Sequence, residues 1–224
     1  MGSGAALTAL GHQLRYLRQS AGMTLVEAAR QLRATKGHLS NIERGRDRPG
    51  LAIVAFYEER FNGDGQAFGL YVESVTSWRP RQRQPIASRP RYPIPGDGST
   101  FVADITVPDG TIMPPFFIFQ KVWRVRNSGT VPWIGRWLVR EGVPGGYGVP
   151  RSPYRVPIPD TQPGEEVDLV VPVQAQALEG SSQAHWKMKD ADGWEYFPDR
   201  YPAGIVLSIV VRAGAPAPEI RRRD

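Results

Sequence analysis

Residues 35–45 read Thr35-Lys36-Gly37-His38-Leu39-Ser40-Asn41-Ile42-Glu43-Arg44-Gly45. Thr35 is a residue type that caps helix starts, and Leu39 and Ile42 stand three apart, as buried positions of a short helix do. Gly45 follows where a left-handed residue would end that helix. Lys36, His38, Ser40, Asn41 and Arg44 fall on the other side. The stretch therefore predicts a short helix with one face packed on a bundle and a polar, partly basic face outside.

The surroundings agree. Upstream, Thr24 caps a second helix with Glu27 at the capping-box position, and Ala28, Ala29 and Leu32 give that helix a small inner face. Leu7, Leu10, Leu14 and Leu17 form the apolar stripe of a first helix that ends near Gly22. Two further helical runs follow, around 51–61 and 65–75. Of the 21 prolines in the 224-residue chain, only Pro49 precedes residue 79. From about Phe101 onward, short β-branched and aromatic runs alternate with Gly/Pro turns, which predicts an all-β sandwich.

Composition sets the bounds. The length suffices for two domains, and 41% hydrophobic residues can build cores. The longest apolar run, 205–211, is far short of the roughly 20 residues a membrane helix needs. No signal peptide is read at the start, and the absence of cysteine excludes disulfides, thiolate metal sites and thiol nucleophiles. A cytoplasmic location is expected. The net charge of +6 is unevenly spread: residues 1–77 carry nine Lys/Arg against seven Asp/Glu, 78–98 five against one, 99–211 ten against twelve, and 212–224 four against two. The basic character thus belongs to the helical part, the joining segment and the tail, which favours a polyanionic partner. The expected organisation is a disordered start over 1–6, a helical domain over 7–77, an Arg/Pro-rich linker over 78–98, a β domain over 99–212 and a basic tail over 213–224. The linker arginines and Arg221–Arg223 read as solubilising spacers more readily than as DNA-contacting arms.

The helical part resembles the Cro/C1-type (XRE) helix-turn-helix family over about 7–75. The resemblance rests on Leu14-Arg15, Ala21-Gly22-Met23-Thr24, Ser40-Asn41-Ile42-Glu43-Arg44-Gly45-Arg46 and Pro49. It departs at Leu25, where the family usually has Gln, and at Gly37, which removes one side chain from the third helix. The resemblance implies a five-helix bundle whose third helix enters the major groove of duplex DNA. Lys36 and Asn41 are the expected base readers, because Lys donates to guanine acceptors and Asn can bond adenine at two points. His38, Ser40, Arg44, Arg46 and Arg48 are expected to contact phosphate, with the capping residues Thr24 and Thr35 at the same surface.

In the β part, residues 116–127 alternate from Gln120 on, with Trp123 and Val125 facing one way and Val122, Arg124 and Arg126 the other. Further strands are expected near Trp133–Trp137, 166–173, 184–189 and 205–211. The residues that carry a second resemblance are Asp104 with Pro108-Asp109-Gly110, residues 121–129, Trp133, residues 163–166, His185-Trp186-Lys187-Met188 and Asp192-Gly193-Trp194. They look like the four-tryptophan (FW) Ig-like domain of selective-autophagy cargo receptors and many bacterial proteins. This implies an antiparallel Ig-like β-sandwich used for protein binding, with Trp123, Trp133, Trp186 and Trp194 as the four tryptophans. Trp123 and Trp186 are expected in the core. Trp133, Trp137 and Trp194 sit beside turns and, with Tyr147 in the 142–148 loop, are expected to rim a pocket for a peptide, a chain terminus or a sugar ring.

The chain as a whole reads as multidomain α plus β. No catalytic constellation stands out, and no cofactor is expected. His12, His38 and His185 lie apart, so no metal site is expected either. Asp190, Asp192, Glu195 and Asp199 cluster at a Gly turn, which turn chemistry explains. The expected function is a sequence-specific DNA-binding transcriptional regulator with a protein-, peptide- or ligand-binding sandwich, and pairing as a homodimer on half-sites is consistent with it. Two alternatives stay open: an interaction adaptor that no longer reads DNA, which Leu25 and Gly37 favour, and a carbohydrate-binding module.

Overall fold

The computed structural model describes residues 3–75, 93–201 and 203–220. The chain forms two compact units, Met1–Ser77 and Trp78–Asp224. The linker arginines from Arg79 to Arg91, Trp78 and the Arg221–Arg223 run lie outside the described residues.

The first unit has five helices: α1 Ser3–Ser20, α2 Leu25–Gln31, α3 Lys36–Glu43, α4 Leu51–Phe61 and α5 Gln66–Val75. Where a disordered start over 1–6 was expected, α1 already begins at Ser3. The reason is Ala6, which is buried in the bundle, preceded by the strong helix former Ala5. Leu10, Leu14 and Leu17 of α1 meet Ala28, Ala29, Leu39, Ile42, Val54, Tyr57 and Phe68 in the core. Helix α2 opens with a complete capping box: the Thr24 hydroxyl accepts from Glu27 N at 3.2 Å, and Thr24 N donates to the Glu27 carboxylate at 2.8 Å. Helix α3 ends as a Schellman turn, Gly45 N donating to Ile42 O and Arg46 N to Asn41 O, both at 2.9 Å. Gly45 sits at φ +68°, and a Cβ there would also lie 2.6 Å from Thr8 Cα. Gly11 of α1 faces the same spot, where a Cβ would meet Ile42 O at 2.5 Å. The two glycines let α1 cross directly over the end of α3.

A buried charge network fixes that crossing. Arg18 donates through Nε and Nη2 to the two oxygens of Glu43, each at 2.7 Å, and through Nη1 to Met23 O at 2.8 Å. Tyr57 donates its hydroxyl to Glu43 at 2.7 Å. Burial and this carboxylate push the Tyr57 phenol well above its ordinary range. One residue further on, Glu58 accepts from Gly65 N and Phe68 N at 2.8 Å and so caps α5 from a distance.

The second unit is a two-sheet sandwich. Its strands are β1 Thr100–Asp104, β2 Thr111–Met113, β3 Ile118–Arg126, β4 Trp137–Arg140, β5 Arg155–Pro157, β6 Glu166–Gln174, β7 Gly180–Lys189 and β8 Ile205–Val211. One sheet runs β1-β3-β6 and the other β2-β8-β7-β4-β5. Pairing is antiparallel except for β2, which runs parallel to β8. The inward residues of β3 are Phe119, Lys121, Trp123 and Val125, opposite Leu169, Val171 and Val173 of β6 and Trp186 of β7. The Trp123 and Trp186 rings lie 5.2 Å apart, tilted by 59°.

Two expected boundaries shift. The C-terminal end of the linker expected over 78–98 belongs to the sandwich. Asp97 is buried there, accepting from Trp133 Nε1 at 3.1 Å and from Arg136 Nη1 at 2.8 Å. The expected tail also returns to this unit: Ala213 N donates to Glu179 at 3.0 Å, and Ile220 packs against the core.

Three outcomes follow. Glu43→Ala leaves Arg18 buried without a counter-charge and should lower the unfolding free energy by about 3–5 kcal/mol in a urea melt; the paired change Arg18→Met with Glu43→Leu should cost much less. Trp133→Ala should cost about 3–5 kcal/mol, because that ring is fully buried. The Thr24 hydroxyl, and after it the Thr24 N–H, holds the Glu27 carboxyl below its ordinary 4.5. The box is therefore complete above that value and is lost as pH falls through the lower folded one. Glu27→Gln should remove this part of the acid dependence in pH-jump melts.

Candidate functional site

Helix α3 projects its polar side from a locked base. Leu39, Ile42 and Glu43 face the bundle, and the outer side carries two stripes: Lys36 with Ser40, and Gly37 with Asn41 and Arg44. Lys36, His38, Arg44 and Arg46 are exposed, and Ser40 and Asn41 are partly exposed at the edge of the packed face. The only carboxylate within α3, Glu43, is buried and paired, so its exposed side is uncharged or positive. The Thr35 hydroxyl is occupied as the cap of α3, accepting from His38 N at 3.1 Å, and Thr24 caps α2 in the same way. Both are exposed, Thr24 in the turn between α1 and α2 and Thr35 in the turn between α2 and α3.

Two members of the expected DNA-contacting set have partners within this unit. His38 Nδ1 lies 3.6 Å from Asp47 in the loop after α3, both side chains being exposed to solvent. Arg48, also expected at a phosphate, uses one of its donors, Nη2, to bond the Ser74 carbonyl in the last turn of α5 at 2.9 Å. That contact ties the loop to the helix end, where unbonded carbonyls favour a cation.

In the sandwich, a cavity lies away from the turn tryptophans. It has a volume of about 340 Å³ and opens between β1, β8 and the 195–206 segment. Its floor is formed by Trp123 and Trp186, and its walls include Phe101, Met188, Phe197 and Tyr201. Asp104, Asp109 and Glu195 supply carboxylates, and Lys187 and Arg200 supply cations. Tyr201 closes one side by donating its hydroxyl to Ser99 O at 2.5 Å. Asp104 is held by the fully buried Lys121, which also donates to the carbonyls of Thr106 and Val107 at 2.9 and 2.7 Å. Burial pushes the Lys121 ammonium below its ordinary value, against the pull of Asp104.

None of the four residues expected at the rim is among the described residues lining this cavity. Trp133 is fully buried, because Asp97 reaches its indole nitrogen and Arg136 stacks beside it. Trp137 lies on β4 with the Arg155 guanidinium 4.2 Å from its ring centre. Tyr147 is 81% exposed at the tip of the glycine loop. Trp194 is 45% exposed on a turn organised by Asp190, whose carboxylate accepts from Asp192 N and Trp194 N at 2.9 Å. Conversely, the two tryptophans assigned to the core also floor the cavity. Lys121 gave a sequence signal that alternation could have caught, since it shares the inward register of Trp123.

Comparison with known proteins places both units. Residues 9–55 match a family described as a helix-turn-helix domain, and residues 106–211 match the Ig-like domain from next to BRCA1 gene. Over 99 residues the chain is 31% identical to the Protein NBR1 homolog of Arabidopsis thaliana, covering 44% of this chain and 14% of that one. Over 97 residues it is 30% identical to Protein ILRUN of Danio rerio, covering 43% and 33%. The chain thus spans a minor part of the length of these curated relatives. Among solved structures, the clp gene regulator ClgR from C. glutamicum is 30% identical, covering 32% of this chain and 90% of that one, with a TM-score of 0.26. The chain therefore joins an N-terminal helix-turn-helix domain of the Cro/C1 type to a C-terminal four-tryptophan Ig-like domain.

Proposed function

We propose that this protein is a sequence-specific DNA-binding regulator, acting in the cytoplasm, whose sandwich docks a segment of a partner protein. The observation that carries the first half is the outer side of α3: Lys36, Ser40, Asn41 and Arg44 stand on a helix pinned from behind by Arg18, Glu43 and Tyr57. A reader must hold its donors in fixed register with base edges, and a two-oxygen ion pair at the helix end does this. Asn41 and Lys36 are the base readers of this proposal. Arg44 and Arg46 contact phosphate, and Thr24 and Thr35 border the same surface. Two copies would occupy half-sites about 34 Å apart.

The second half rests on the cavity. Its aromatic floor and mixed charged rim have room for one or two side chains of a docked segment. The rim is suited to an extended segment that carries both an apolar anchor and polar neighbours.

Selection of sites from random duplex DNA, followed by salt titration, tests the DNA reading. An enriched motif is expected, with Asn41→Ala weakening it by about 1–3 kcal/mol at one position. Arg46→Ala should weaken all sequences alike and reduce the salt slope by about 1. Absence of any enriched motif would leave the adaptor alternative. For the sandwich, peptides enriched from a displayed random library should lose binding when the cavity is filled by Val206→Trp, and should shift the fluorescence of Trp123 and Trp186. Peptides that bind the filled variant equally well would place docking elsewhere.

A further inference from the structure

Three cations are buried among the described residues of the sandwich: Lys121, Arg136 and Arg140. Lys121 is paired with Asp104 and Arg136 with Asp97. Arg140 has no carboxylate within reach among the described residues. It is 2% exposed, at the end of β4, with its guanidinium carbon 4.6 Å from the centre of the Trp186 ring. Its Nη2 makes two long hydrogen bonds, 3.5 Å to Val143 O and 3.4 Å to Pro150 O, while Nε and Nη1 find no partner. Burial alone pushes its pKa down, to about 10, so the side chain is still a cation at neutral pH. A buried cation without a counter-charge is costly enough that its retention calls for an explanation.

Two further buried side chains of the sandwich have unused hydrogen-bonding capacity. Gln174 and Gln176, each 3% exposed, leave Nε2 and Oε1 respectively without a partner. Gln174 is bridged through its backbone to Arg151, where the 142–150 loop ends, and Gln176 Nε2 donates to Gly180 O. The two carbonyls that Arg140 touches belong to that same loop. It contains Gly142, Gly145, Gly146 and Gly148, and its internal Gly146–Val149 bridge is held by bonds of 3.3 and 3.4 Å. Val143 and Tyr147 on the loop, and Leu178 bonded to the Tyr147 carbonyl, expose apolar side chains.

We propose that Arg140 is the anchor of a carboxylate-binding site beneath the 142–150 loop, with the loop as its cover. A carboxylate supplies one negative charge to one buried guanidinium and can accept side-on from the free Nε–H together with Nη2, whose present bonds to Val143 O and Pro150 O are long. A phosphate, carrying about −1.5 to −2 near neutral pH, would leave charge that a single guanidinium does not compensate. The apolar side chains at the opening favour a carboxylate with an apolar tail, as in a small organic acid or the C-terminal residue of a peptide. This site is separate from the tryptophan-floored cavity and does not depend on the DNA reading.

The test is a titration of the full-length protein with butyrate, butyramide, inorganic phosphate, and N-acetyl-Ala-Leu as free acid and as amide. The readouts are the Arg140 Nε–Hε resonance, assigned by its absence in Arg140→Met, and the melting temperature of the sandwich. Butyrate should shift that resonance and raise the melting temperature by about 3 °C near saturation, with butyramide inert and the gain lost in Arg140→Met. A stronger response to the free-acid dipeptide than to butyrate identifies a peptide terminus as the source; a stronger response to butyrate identifies a small acid. No response to either carboxylate, equal responses to acid and amide, an equal response to phosphate, or a gain retained in Arg140→Met overturns the proposal. If Arg140→Met does not fold, the Nε–Hε resonance is assigned through its bonded carbon shifts, and the wild-type titration decides alone.

Discussion

A charge removed from water is costly unless it meets an opposite charge, and in both units of this protein buried pairs of that kind join separate elements. In the helical unit, Arg18 and Glu43 join α1 to the end of α3 and recruit Tyr57 from α4. In the sandwich, Arg136 with Asp97 fastens the segment before β1, and Lys121 with Asp104 fastens the segment after it. The chain has no cysteine, so no disulfide shares this task. The pairs also explain why polar residues in the described chain are so often at the ends of elements: each one joins two pieces that packing alone would leave adjustable.

The pattern-bearing parts of the fold were legible in the sequence. The leucine spacing of α1, the Thr24 and Thr35 caps and the alternation in β3 are local signals, and local physics produced them. Strands β2 and β5, three residues each, were missed because three residues hold too little alternation to separate strand from loop. Asp97 was read as linker because its neighbours are prolines and arginines. Its partners Trp133 and Arg136 lie 36 and 39 residues away, beyond any periodicity. Arg18 and Glu43 are 25 residues apart and were invisible for the same reason.

The candidate sites divide along the same line. On α3, which face is outward follows from where Leu39 and Ile42 stand, so the sequence already separated the solvent-facing residues from the core. In the sandwich, nearness to a turn was a poor guide to exposure. Trp133 sits beside a turn but is drawn inward by Asp97, whereas the paired rings of Trp123 and Trp186 are both core and cavity floor. Their tilt of 59° leaves space that a flatter stack or a disulfide bridge would have closed. The cavity is therefore a consequence of how this core is filled, and its aromatic character is inherited from the tryptophans that fill it.

The parallel pairing of β2 with β8 has an effect on how molecules of this kind tolerate crowding. Strand β8, apolar at six of its seven residues, would invite a neighbour's strand if it lay at the border of its sheet. The three-residue β2 covers it, and at the opposite border β5 is equally short and ends in Pro157. In the other sheet, β6 carries Pro172 together with Glu166 and Asp168, and β1 is irregular between Phe101 and Ala103. Every border strand is thus short, charged, kinked or interrupted by proline. Copies crowded together could stand side by side without their sheets fusing into aggregates.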